Sequence, residues 1–275
     1  MHVEIRTLNV KGDAAFVCIM NDDNTIKDLI LIDAGSSSTE LTTLWEKYYK
    51  KHKVGMVIIS HWDADHYLGI ENEEMWAEGC VLYSPRLGRK NYSPFVYEEL
   101  DDMHGPKVVK EWGEHKEIKL ICYGNENEYW PFEANSNMLP VGTPKNDSSL
   151  IFVLKAWGQR YYTGGDINKE VEEELVAGLP DNIPFDLWFP HYLQGMKVSH
   201  HGSDTSTPEI FLRKTYPNAA IITRFDTKHP TLNCAELLNK YAHITLSFVT
   251  NSELDKLPTY FMVMGDGITQ IFSNN

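Results

Sequence analysis

The hydrophobic pattern of the first sixty residues changes period twice. Residues 2–8, 14–20 and 26–33 are short apolar runs rich in β-branched side chains, with Gly12-Asp13 and Asn21 to Asn24 between them, which predicts three strands joined by turns. Ser37-Ser-Thr-Glu40 then has the spacing of a capping box, and residues 41–51 carry apolar side chains at helical intervals. Residues 54–59 return to a continuous apolar run. Strand, helix and strand make one β-α-β unit, the pattern of a layered α/β sheet with working residues at its strand ends.

Between residues 86 and 144 the pattern weakens. Aromatic, acidic and prolyl residues mix there, with one strand expected at 117–123, and we read the stretch as an insertion or lid. Order returns with strands at 148–155 and 159–163, joined by a tight Trp157-Gly158 turn. A helix is expected at 168–176, strands at 185–189 and 196–199, a helix at 208–216 and a strand at 219–223. The last elements are a helix at 234–241 and strands at 243–249, 260–264 and 268–272. Two strand-rich halves, each followed by helices, suit a four-layer αββα sandwich in which residues 1–275 form a single domain.

Composition narrows the class. Hydrophobic residues make up 42% of the chain and charged residues 23%, ordinary for a water-soluble globular protein. No apolar run approaches the roughly 20 residues that span a bilayer, and the segment Met1 to Arg6 lacks the regions of a signal peptide, so a cytoplasmic protein without a membrane partner is expected. The four cysteines, Cys18, Cys80, Cys122 and Cys234, have no C-x-x-C spacing, which argues against a disulfide framework and a thiolate zinc site. A net charge of −14 excludes a global basic surface for gripping nucleic acid, although a local groove stays compatible with it.

The chemistry concentrates at His61, Asp63, Asp65 and His66, an H-x-D-x-D-H run directly after the 54–59 strand. Neutral imidazoles and ionised carboxylates are what a divalent cation needs at about 2.0 to 2.2 Å. Two cations sharing a hydroxide need more ligands than one short loop supplies, so distant partners are expected. Three other strand ends carry suitable groups: Asp33, Asp166 and His200-His201.

In type and order these motifs resemble the metallo-β-lactamase superfamily, whose pattern runs Asp, H-x-H-x-D-H, a variable third ligand, Asp, then His. A narrower resemblance links Leu8-Asn-Val-Lys-Gly-Asp-Ala-Ala, Ser60-His-Trp-Asp-Ala-Asp-His, Asn146-Asp-Ser-Ser-Leu, Thr163-Gly-Gly-Asp-Ile, Lys197-Val-Ser-His-His-Gly-Ser and His229-Pro230 to the hydrolase domain of the ComEC family of competence proteins. It covers about residues 3–85 and 146–270. The resemblance implies that His61 and Asp63 hold one metal, that Asp65, His66 and His200 hold the other, and that Asp166 bridges them. Asp33 would fix the ligand loop from behind. Asn146 or Asp147 falls near the variable third-ligand position. His201 stays open, because adjacent residues at a strand end ordinarily face opposite ways.

Asp63 stands where most of the superfamily has a second histidine, a change shared with the ComEC-like branch. A harder oxygen ligand tilts the site toward manganese, while the general affinity order favours zinc. ComEC proteins carry this domain beside membrane-spanning segments, which are missing here, so DNA transport is not implied.

The resulting expectation is a dinuclear zinc or manganese hydrolase, a phosphodiesterase or nuclease acting on nucleic acid or a nucleotide, with Asp65, Asp166 and His229 catalytic. Arg86, Arg89 and Lys90 form one small positive cluster that could meet an anionic substrate. The alternatives are a hydrolase of a lactone, thioester or β-lactam, and a metal-binding module without turnover. His2, His52, His104, His115, His191 and His243 have no supporting pattern.

Overall fold

Alternation along the strands sorts the apolar side chains into three separate layers, and this sorting defines the architecture. The computed structural model describes residues 1–85, 92, 95–98, 106–112, 117–123, 145–177, 192–223, 228–247, 260–265 and 268–273. In β2 (Ala14–Met20), Ala15, Val17 and Ile19 face one way, while Phe16, Cys18 and Met20 face the other. In β9 (Ile151–Ala156), Phe152 and Leu154 meet the Val17 side, while Ile151 and Val153 turn away. The first set fills the space between two sheets; the other two sets lie on their outer faces, under helices.

Among the described residues, one sheet has eight strands in the order β15-β14-β1-β2-β3-β4-β5-β6. They are β1 (His2–Thr7), β2, β3 (Ile26–Ala34), β4 (Val54–Ile58), β5 (Trp76–Tyr83), β6 (Val96–Glu98), β14 (Tyr260–Gly265) and β15 (Ile268–Ser273). The other has seven, in the order β13-β12-β11-β10-β9-β8-β7. These are β7 (Pro106–Trp112), β8 (Ile118–Tyr123), β9, β10 (Gln159–Thr163), β11 (Gly195–Lys197), β12 (Ala219–Ile222) and β13 (Ile244–Ser247). On the outer face of the first sheet, α1 (Ser38–Tyr49) buries Leu41, Leu44, Trp45 and Tyr49. On the second, α3 (Lys169–Ala177), α4 (Glu209–Thr215) and α5 (Leu232–Tyr241) do the same with Val171, Phe211, Leu212 and Leu238. The result is the expected αββα sandwich.

Local chemistry accounts for several boundaries. Ser37 Oγ accepts from Glu40 N at 3.3 Å, as the capping-box spacing predicts, but the Glu40 carboxylate departs from that motif and accepts from Lys11 N at 3.0 Å. The helix start is thereby tied to the loop before Asp13. Trp157 and Gly158 both have positive φ, 46° and 77°, the conformation of a two-residue hairpin turn. Helix α5 starts two residues before the expected position because Thr231, whose hydroxyl accepts from Cys234 N, is its cap.

Three strands escape the periodic reading. In β5, exposed Glu78 and Gly79 break the alternation, and in β7 the lysines and Glu111 mark a partly solvated strand. Strands β6, β7 and β8 draw on the 86–144 stretch and join both sheets. The strand expected at 185–189 lies outside the described residues. All four cysteines are buried and none is in a disulfide.

Candidate metal centre

Strands β3, β4, β5 and β6 run parallel, as do β10, β11, β12 and β13. Parallel strands deliver their carboxyl ends to one rim of a sandwich, and loops there carry side chains that would be stranded anywhere inside a sheet. Asp33 near the end of β3, the loop after β4, Asp166 after β10, His200-His201 after β11 and Thr223 after β12 all reach this rim.

The loop after β4 is held from behind. Asp33 Oδ1 accepts from Ser60 N at 2.7 Å and Asp33 Oδ2 from Ser60 Oγ at 2.8 Å. Asp33 Oδ2 also accepts from His66 Nδ1 at 2.9 Å, which fixes that imidazole with Nε2 facing away from Asp33. His66 lies on α2 (Ala64–Tyr67), a single turn that follows Asp63. A close backbone approach completes the loop: Asp13 N donates to Asp65 O at 3.0 Å. Gly12 makes this possible, because a Cβ there would sit 2.0 Å from Asp65 O, and its φ of 92° is open only to glycine at little cost.

The two histidines after β11 do not alternate as a strand end would. His200 (φ 48°, ψ 45°) and His201 (φ 51°, ψ 20°) are both left-handed, followed by Gly202 at φ 83°. This tight coil brings both rings toward the rim. His201 is fully buried, its Nδ1 2.9 Å from Thr223 Oγ1 and 3.3 Å from Asp13 Oδ1, and its Nε2 3.1 Å from Asp65 Oδ2. His200 is a quarter exposed. Its Nδ1 lies 3.1 Å from Thr205 Oγ1 and its Nε2 4.0 Å from Asp166 Oδ2. The resemblance pointed to His200 and left His201 open; the structure puts His201 at the centre and His200 at the edge.

Two carboxylate oxygens each approach two imidazole nitrogens. Asp65 Oδ2 is 3.1 Å from His201 Nε2 and 3.7 Å from His66 Nε2, and Asp166 Oδ2 is 3.3 Å from His66 Nε2 and 3.7 Å from His201 Nε2. Two donors that share one tetrahedral cation at about 2.1 Å lie roughly 3.4 Å apart, and these four carboxylate–imidazole separations fall around that value. Beside it, His61 Nε2 is 3.7 Å from Asp63 Oδ2, and the His61 and His66 rings are 4.1 Å apart between centroids. His61 Nε2 and His66 Nε2 are buried without a hydrogen-bond partner. Each His66 and His201 Nδ1 already has an oxygen partner, so each Nε2 would point a lone pair at a carboxylate unless a proton or a cation lay between them. The donor set, its spacing and the orphaned nitrogens fit a divalent cation.

Electrostatics describe the same site from the proton's side. Burial opposes the charge of Asp166, but His66, Lys197 and His201 outweigh it and hold the carboxyl well below its ordinary range. Burial likewise opposes the charge of Asp65, and the hydrogen bond from His201 reverses the effect, leaving its pKa lowered. For His66, burial favours the neutral ring, yet Asp166, Asp33 and Asp13 raise its pKa well above the usual value. His200 is lowered, chiefly by its burial.

Two site residues were missed by the sequence reading. Asp13 follows Gly12 and belongs to a group with His66, Asp166 and His201 whose ligand-type atoms lie within 4.8 Å of one another. It faces the Nδ1 side of both histidines, accepts from Thr223 Oγ1 and pairs with Lys197, so its oxygens are already engaged. Lys197, the last residue of β11, is buried; its Nζ also donates to Asp166 Oδ1 at 3.2 Å and Gly165 O at 2.7 Å. Both residues stood in motifs already singled out. A charged side chain inside a strand, as at Lys197, was the available signal, because an ion there requires a partner.

Behind the histidine coil lies Glu172 of α3, fully buried. It accepts from Ser199 Oγ at 2.8 Å, Tyr162 OH at 3.0 Å and Thr207 N, bracketing the segment that carries His200 and His201. Burial pushes its carboxyl up to about 7 despite these three donors.

The remaining expected residues divide. His229 is half-buried with its ring 6.0 Å from that of His200 and nearly parallel to it. Asn146 Nδ2 is 3.4 Å from His200 Nε2. The side chain of Asp147, and Arg86, Arg89 and Lys90, lie outside the described residues. Among the described residues no helix is long and apolar enough to cross a membrane.

Sheets, helices and rim together define the metallo-β-lactamase fold. The chain superposes on the metallo-β-lactamase fold protein YhfI from Bacillus subtilis with a TM-score of 0.54 and 10% identity, over 92% of this chain and 98% of that one. In sequence it is 32% identical over 114 residues to ComE operon protein 3 of Bacillus subtilis (strain 168), a match that takes in 40% of this chain and 14% of the longer protein. No protein-family model matches the chain.

Proposed function

We propose that the protein is a metal-dependent hydrolase that cleaves phosphodiesters in nucleic acid or a nucleotide. The observation that carries this reading is the convergence of Asp65, His66, Asp166 and His201, in which each carboxylate oxygen lies 3.1 to 3.7 Å from both imidazole Nε2 atoms. In this reading the whole chain is one hydrolase domain, and these four residues hold one cation. His61 and Asp63 would hold a second, with Asp166 available to both. Two such cations, zinc or manganese, would supply an ionised water at neutral pH and neutralise the charge on the phosphoryl oxygens.

The chain's own residues do the rest. Asp33 and Asp13 keep the Nδ1 atoms of His66 and His201 occupied, so that each ring presents Nε2 inward. Lys197 fixes Asp166 by its Oδ1 and leaves Oδ2 facing the histidines. His229, whose ring lies 6.0 Å from that of His200, would hand a proton to the leaving oxygen. An oxygen donor at Asp63 in place of an imidazole supports phosphate chemistry over carbonyl chemistry, since harder ligands favour cations of the manganese type. A nucleic-acid or nucleotide substrate is what the motif resemblance to the ComEC hydrolase domain implies.

The test is an assay of the purified protein with manganese or zinc against bis(p-nitrophenyl) phosphate, single-stranded DNA and a panel of lactones. Turnover of the phosphodiesters, abolished by Asp166→Ala, is expected. Turnover of lactones alone would reject the phosphodiester reading, and absence of both turnover and cation binding would reject the hydrolase.

A further inference from the structure

Lys197 has no place in the ligand set, yet its ammonium is buried beneath it. Its Nζ contacts Asp13, Asp166 Oδ1 and the carbonyl of Gly165. Asp13, Asp33 and Asp166 are all buried within the same few ångströms, and two of these three carboxylates depend on this one lysine. Without a cation, three buried carboxylates and two orphaned imidazole nitrogens could not stay together unless another positive charge held them. Lys197 supplies such a charge, in contact with both Asp13 and Asp166.

We propose that Lys197 is a built-in cation that keeps the ligand cluster assembled when no metal is bound, at the cost of weaker metal binding. This rests on reading the cluster as a metal site. A positive charge beside Asp166 stabilises the empty, negatively charged cluster and repels an arriving dication. A residue that stabilises the empty state more than the filled one must lower metal affinity by the same factor. Lys197 also engages Asp13 and one oxygen of Asp166, so it keeps Asp13 on the Nδ1 side of the histidines and leaves Asp166 a single oxygen to offer. It is a positioning residue, and it makes the site ready to load without making it greedy.

The test compares the wild type with Lys197→Met, which keeps the length of the side chain and removes its charge. Calorimetric titration of chelator-treated protein with Mn²⁺ should show the first ion binding about tenfold more tightly in K197M. Without metal, the thermal midpoint of K197M should fall by roughly 10 °C, and saturating Mn²⁺ should restore most of it. The double variant D13N/K197M removes both members of the pair; it should fold without metal and bind Mn²⁺ with an affinity near that of the wild type. Affinity in K197M equal to or weaker than wild type overturns the proposal, because a lysine with a purely packing role predicts that result. If K197M does not fold even with Mn²⁺, the double variant decides, and its failure to fold overturns the proposal as well. Absence of Mn²⁺ binding by the wild type would instead sink the metal reading itself.

Discussion

His201 Nε2 and Asp65 Oδ2 lie 3.1 Å apart although 136 residues separate them in the chain. One comes from the loop after β11 and the other from the loop after β4, so the contact spans the seam between the two sheets. In the proposed metal site, coordination would therefore be a tertiary property, and removing either side should cost more than a local defect. His201→Ala should lower affinity for the first cation by at least about 100-fold, whereas His200→Ala, at the exposed edge, should leave most of that affinity and reduce turnover. Metal titration beside the phosphodiester assay separates the two variants; equal losses in both would reassign the ligand.

Asp33 touches no proposed ion. Its carboxylate holds both Ser60 and the Nδ1 of His66, so Asp33→Asn should free the ring to flip and weaken cation binding by about 10- to 100-fold. The thermal midpoint of the metal-saturated protein should fall less than that of a core truncation such as Phe152→Ala, and melting curves with excess metal check the contrast.

A methyl group at residue 12 has nowhere to go. Gly12→Ala would place a carbon against the Asp65 carbonyl at a φ that alanine adopts poorly, and a loss of about 2–4 kcal/mol is expected. Urea unfolding measures it, and the loss should come with weaker cation binding, because Asp13 and Asp65 shift together.

Glu172 gives a pH signature away from the proposed ligands. Its carboxyl titrates near 7 in the folded protein and near 4.5 in the unfolded chain, so between those values the folded state holds the extra proton. Stability contributed by Glu172 is complete below about pH 4.5 and is lost as pH rises toward 7. Glu172→Gln cannot titrate. The stability of the wild type relative to this variant should therefore decline by about 3 kcal/mol between pH 4.5 and 7. Denaturant midpoints of both proteins across that range would show it, and parallel curves would contradict the assignment.

Much of this site could be read from the chain because strand ends are easy to see and metal donors are few. His61, Asp65, His66 and Asp166 each follow a run of buried apolar residues, and the physics that ends a strand also exposes the next side chain. What could not be read depends on backbone conformation and on pairing across space. Adjacent histidines were expected to face opposite ways, but two consecutive left-handed residues turn both rings toward the rim. Asp13 looked like a turn residue after Gly12, and only its approach to Lys197 and His201, from the other sheet, shows otherwise. Strands β5 and β7 were hidden by exposed charged residues that break the alternation a periodic reading relies on.

The division of the donors between two sheets has a consequence for biosynthesis. A nascent chain that has emerged only as far as β10 carries His61, Asp63, Asp65 and His66 but neither Asp166 nor His201, so it offers an ion half a cage. If these residues hold the cation as proposed, capture would wait until the second sheet closes, and a ribosome-bound fragment of that length should leave zinc or manganese in the surrounding solution.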